Sequence, residues 1–172
     1  MTKLQKILLL ILLTVSIVST IIYYKTLTCK DKTITFDKVI THSLIKEGLT
    51  LLKSGNYIIK SDIEYSKYMP SKLKNILTKD EADTILISLL NPYVSNKRNN
   101  ARKLIIDYYI YENDKNDTNK KGKKSKLYAG YLMFEFKIGK KVIYKIQTDY
   151  MTNTKKDIKE RMKCALQSLI SI

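Results

Sequence analysis

The chain has no tryptophan, one histidine, two cysteines, two prolines and five glycines in 172 residues. Each shortage removes a class of chemistry. A lone histidine, His42, cannot supply a His-based catalytic pair or a histidine cluster on a metal within one chain. Cys29 and Cys164 lack the paired spacing of a zinc site, which takes four ligands. They are read as two separate thiols; a disulfide between them would need their Cα atoms about 6 Å apart, which a sequence does not show. Five dispersed glycines make no phosphate-cradling loop.

Carboxylates are also few, 16 Asp and Glu against 32 Lys and Arg. Asp62 with Glu64, and Asp114 with Asp117, lack the glycine and terminal glutamate of a calcium loop. Asp80, Glu81 and Asp83 fall at a predicted helix start, where the helix dipole accounts for acids. No catalytic residues, cofactor or metal are therefore assigned, and an enzyme is the third-ranked reading.

Arginine is scarce as well: Arg98, Arg102 and Arg161 are the only three, so the net charge of +16 rests on lysine. Such a balance favours anionic partners. An AT-rich coding sequence would also enrich Lys, Ile, Asn and Tyr without selection for a partner. Arginine reads base edges and grips phosphates bidentately better than lysine does. Its scarcity argues against sequence-specific nucleic-acid binding.

What the chain does have begins with an uncharged run of 18 residues, Ile7 to Tyr24, flanked by Lys3, Lys6 and Lys25. As a helix it would rise about 27 Å, near the lower limit for a hydrocarbon core of about 30 Å. Residues 1–25 are accordingly expected to be a transmembrane signal-anchor of a single-pass membrane protein. Val18-Ser19-Thr20 is a poor cleavage site, and Thr26-Leu27-Thr28 before Cys29 is a poor lipobox. Residues 26–35 read as a tether, and 36–172 as one basic domain, placed outside the cytoplasm.

Within the domain, Phe36 to Lys53 has the spacing of a helix stopped by Ser54-Gly55-Asn56. Tyr57 to Met69 fits neither helical nor strand period. Thr78 followed by Glu81 is a capping-box pattern, opening a helix with Ala82, Ile85, Leu86, Leu89 and Leu90 on its buried face. Lys103–Glu112, Leu127–Ile138 and Val142–Met151 alternate as strands, with Gly139 in the turn between the last two. Thr154 caps a closing helix striped by Ile158, Met162, Ala165, Leu166 and Leu169. The expected fold is α+β: helices packed on a small antiparallel three-stranded meander, with a closing C-terminal helix.

The expected site is the polybasic segment from Asn113 to Lys126. Its Lys115, Lys120, Lys121, Lys123, Lys124 and Lys126 outnumber two aspartates. A lysine near an anionic surface contributes about 1 kcal/mol. Tyrosines 108, 109, 111, 128, 131 and 144 are candidates for a stacking platform, although a strand tyrosine is more often half-buried sheet surface. The leading expectation is a membrane-anchored extracytoplasmic binding or accessory domain that contacts anionic lipid or cell-wall polymer. The alternative is a cytoplasmic-facing tethered domain that meets the inner leaflet or nucleic acid.

Overall fold

A computed structural model of the chain describes Gln5, residues 10–17, Ser19, residues 33–114, Asn116 and residues 128–172. The chain divides into two units, Met1–Lys32 and Thr33–Ile172. In the first, residues 10–17 are helical. No helix among the described residues is long and apolar enough to cross a membrane. This overturns the transmembrane signal-anchor and the single-pass, membrane-located protein built on it. Residues 7–9, 18 and 20–24 lie outside the described residues.

The second unit is not a three-stranded meander with helices. It is a five-stranded mixed sheet in the order β1-β5-β4-β3-β2, carrying three helices. The strands are β1 (Ile34–Val39), β2 (Tyr57–Glu64), β3 (Leu104–Glu112), β4 (Gly130–Ile138) and β5 (Lys141–Tyr150). The helices are α1 (Ile45–Lys53), α2 (Lys79–Leu90) and α3 (Lys155–Ile170). The two added strands lie at the edges. β1 comes from residues expected in the tether and first helix. Its β-branched Ile34, Thr35 and Val39 suit a strand better than a helix, and it pairs antiparallel with β5. β2 comes from the segment with no clear period and pairs parallel with β3, which makes β2-α2-β3 a crossover unit.

β3 and β4 alternate buried and half-buried from end to end. Their buried rows carry an aromatic ladder. Tyr108 stacks on Phe134 at 5.1 Å, Phe134 neighbours Phe136 at 6.0 Å, and Phe136 neighbours Tyr144 of β5 at 6.1 Å. A bulge in β5 opposite Phe136 and Lys137 shifts the register, so that Ile143 enters the core and Val142 does not.

All three helices cover this buried face. Gly48 of α1 rides so close to the sheet that a Cβ would sit 2.4 Å from the Ile143 side chain. α2 reaches the sheet through Asp83, which accepts hydrogen bonds from the Tyr108 hydroxyl at 2.8 Å and the Ser61 hydroxyl at 3.0 Å. α3 reaches it through Ser168, 2.8 Å from the Tyr144 hydroxyl. The capping box at Thr78 and Glu81 opens α2, and the Thr154 hydroxyl accepts from the Asp157 amide to open α3. The α3 stripe of Ile158, Met162, Ala165, Leu166 and Leu169 is fully buried.

The opposite sheet face carries Tyr109, Tyr111 and Tyr131 beside a cross-strand row of charges. In that row Lys137 pairs with Asp107 and Glu135 at 2.7 Å each, and Lys145 pairs with Glu135 at 2.8 Å.

Candidate anion-binding site

At one end of the sheet the strand register places Tyr57, Leu104, Ile138 and Lys141 side by side. Just beyond that row lie three connections: the turn after α1, the segment that leads into β3, and the β4–β5 hairpin tip at Gly139 and Lys140. Their chemistry is one-sided. Lys97, Arg98, Arg102 and Lys103 come from the middle connection, and Lys140 and Lys141 from the hairpin.

The first two connections are bound into one body by Asn56, which is 3% exposed. Its side-chain amide donates to the Ser54 hydroxyl at 2.8 Å and to the Arg98 carbonyl. Its side-chain oxygen accepts from the Asn100 amide at 3.0 Å and the Lys103 ammonium at 2.8 Å. Backbone bonds add to the seam: Ser95 N to the Lys53 carbonyl at 2.9 Å, Arg98 N to Ser54 at 3.3 Å, and Leu104 N to Asn56 at 2.9 Å. Gly55, at φ +71°, makes the tight exit from α1 that brings Asn56 into place.

Against this seam opens a cleft of about 680 Å³, within the size range of small-ligand sites. Its lining contributes three cations, Lys97, Arg98 and Lys103, with Ser54, Asn56, Asn91 and Asn99 as neutral hydrogen-bonding groups. No carboxylate is among the lining residues. Arg102 is neutralised by Glu47 of α1 at 2.7 Å. Among the described residues nothing pairs with the side-chain charges of Lys97, Arg98, Lys140 or Lys141. The cleft therefore presents fixed positive charge with hydrogen-bond donors, the two properties that hold an anion.

The opposite end of the sheet is built on acids. Glu112, fully buried at the end of β3, accepts four hydrogen bonds. Lys72 N and Leu73 N reach one oxygen at 2.8 and 3.0 Å, while Ser66 N and the Ser71 hydroxyl reach the other at 3.1 and 2.5 Å. Asp114 takes the Ser66 hydroxyl, Lys67 N, Tyr68 N and Asn116 N. Burial alone would raise the Asp114 carboxyl; the bonds from Tyr68, Ser66, Asn116 and Lys67 outweigh it and hold the group below the usual carboxylate range. With four donors each, these acids organise the chain around them.

The lysines expected to form the site, Lys115, Lys120, Lys121, Lys123, Lys124 and Lys126, lie outside the described residues. The tyrosines divide between the two faces. Tyr108 and Tyr144 are buried under the helices; burial pushes the Tyr108 hydroxyl far above its ordinary range and that of Tyr144 up to about 12. Tyr109, Tyr111 and Tyr131 meet on the other face, with Tyr111 and Tyr131 stacked at 4.9 Å and Tyr109 edge-on to Tyr131 at 5.8 Å. His42 is exposed in a 3-10 turn, His42–Leu44. Cys164 on α3 is disulfide-bonded, which corrects the expectation of a free thiol there; the other cysteine, Cys29, lies outside the described residues. No group of three or more potential metal ligands forms among the described residues.

Comparison with protein-family models, with curated proteins and with solved structures returns no match to this chain. The functional reading rests on the site itself.

Proposed function

We propose that Thr33–Ile172 is an accessory binding domain that holds an anionic ligand in the cleft between the α1 exit turn and the segment leading into β3. The observation that carries this reading is the lining of that cleft: Lys97, Arg98 and Lys103 without a carboxylate, on a backbone fixed by Asn56. Binding rather than catalysis follows from the kind of groups assembled. Lysine, arginine and asparagine side chains grip and orient an anion, and the cleft sets no nucleophile beside a base.

Isothermal titration with tripolyphosphate tests the reading. The parent chain binds, and Arg98→Ala or Lys103→Ala weakens binding by about tenfold, the loss expected for one charge-assisted contact of 1.4 kcal/mol or so. Affinity falls steeply between low and physiological salt. A chain in which Lys120, Lys121, Lys123 and Lys124 are replaced by alanine binds like the parent. If instead that chain alone loses binding while Arg98→Ala is unaffected, the polybasic segment is the site and the cleft is not. If the parent does not bind, the reading falls.

A further inference from the structure

The cations at this end of the sheet fall into two groups. Lys97, Arg98 and Lys103 belong to the cleft beside β2 and β3, and Lys140 and Lys141 to the hairpin that joins β4 and β5. The register fixes their separation, since Tyr57, Leu104, Ile138 and Lys141 lie in consecutive strands of one row. Two strand spacings, about 10 Å, divide the middle of one group from the middle of the other. A single phosphate or sulfate reaches one group and not both. The hairpin is also a firm platform. Gly139, at φ +60°, closes a two-residue turn between paired strands, and the ammonium groups of Lys140 and Lys141 stand in solvent beside it.

Resting on the cleft reading above, we infer that the natural ligand is a linear, base-free phosphate polymer laid across this end of the sheet, held in the cleft and again at Lys140 and Lys141. The cleft chemistry selects against a nucleic acid. Single-stranded nucleic acids are held by stacking bases on exposed aromatic rings. Tyr57 is the one aromatic residue lining the cleft, and its half-buried ring is packed against the core, which leaves no array of exposed rings for successive bases. The side-chain amides of Asn91 and Asn99 instead offer N–H donors suited to phosphate and polyol oxygens. A chain that bridges both groups of cations gains from the second contact without a second association step, so its affinity exceeds that of a short anion of the same chemistry.

The test compares three probes on the full chain: tripolyphosphate, long-chain inorganic polyphosphate and oligothymidylate. Polyphosphate binds about 100-fold more tightly per phosphate than tripolyphosphate. The Lys140→Ala/Lys141→Ala double variant, whose two positions are exposed, loses most of that advantage, about 100-fold toward polyphosphate, and keeps its tripolyphosphate affinity. A thermal melt matching the parent confirms that this variant is folded. Equal affinity per phosphate for the long and short probes, or a double variant indistinguishable from the parent, overturns the bridging polymer and leaves the cleft reading standing. Failure of every probe removes the cleft reading and this inference together. Tighter binding of oligothymidylate than of polyphosphate overturns the base-free class.

Discussion

At the C-terminal end of β3 two carboxylates, Glu112 and Asp114, hold the 66–73 segment; at its N-terminal end a neutral amide, Asn56, holds the 95–100 segment. Both devices answer one requirement. A segment with no regular hydrogen-bonding partner must have its backbone donors and acceptors met before it can be buried. The difference lies in what remains afterwards. Each Glu112 oxygen accepts two donors, so that carboxylate is saturated. Asn56 fixes its segment without adding charge, and the cations carried there stay available.

The sharpest way to break this comparison is Glu112→Ala. It strands three main-chain N–H groups and a hydroxyl at a buried position, and should cost about 3 kcal/mol or more. Urea denaturation measures it, and a loss under about 1 kcal/mol would show that water takes the place of the carboxylate. Asn56→Ala should cost less, about 1–2 kcal/mol, because the seam beside it is also held by backbone bonds. Its larger effect is expected on anion binding, since the cations lose their fixed base. A variant that is destabilised yet binds tripolyphosphate like the parent would separate stability of the loop from its charge.

Acidification produces the smallest effect and tells the two ends apart. The Asp114 carboxyl is held below its ordinary value, so its contribution is complete above the unfolded-state value and is lost as pH falls through the depressed folded value. Amide protection factors, corrected for the intrinsic exchange rate at each pH, should therefore fall in residues 66–73 as pH drops below about 4, ahead of residues 95–100, where Asn56 does not titrate. Asp114→Asn should remove that pH dependence. Equal acid sensitivity of both segments would contradict the assignment.

Much of the interior was legible in the sequence. The Thr78–Glu81 capping box, the α3 stripe and the alternation along β3 and β4 each arise from local spacing that burial enforces. The edge strands were not. β1 is exposed or half-buried along its whole length, so burial imprints no alternation on it. In β2, Ile58 is 47% exposed on the side where alternation calls for a polar residue. Its partner β3 begins some forty residues later, beyond any local signal. The site was legible only in part. The run Lys97-Arg98-Asn99-Asn100-Ala101-Arg102-Lys103 is basic and free of acids on inspection, but the denser lysines of 115–126 drew the assignment. Nothing local indicates that the run shares a sheet end with Lys140 and Lys141. That juxtaposition is a property of strand order. The membrane segment shows the converse: hydropathy alone predicted a span that no described helix provides.

The pairing of β1 with β5 has a consequence for how the chain is made. Ile34 meets Thr148, and Val39 meets Tyr144. The first strand to leave the ribosome must therefore wait for the last before the sheet can close. Contacts of such sequence separation slow folding, and an unpaired edge strand exposes a row of free backbone groups to other chains. A nascent chain halted before Lys141 would hold β1 with no partner and β4 with one open edge, so association between unfinished copies is the hazard built into this strand order.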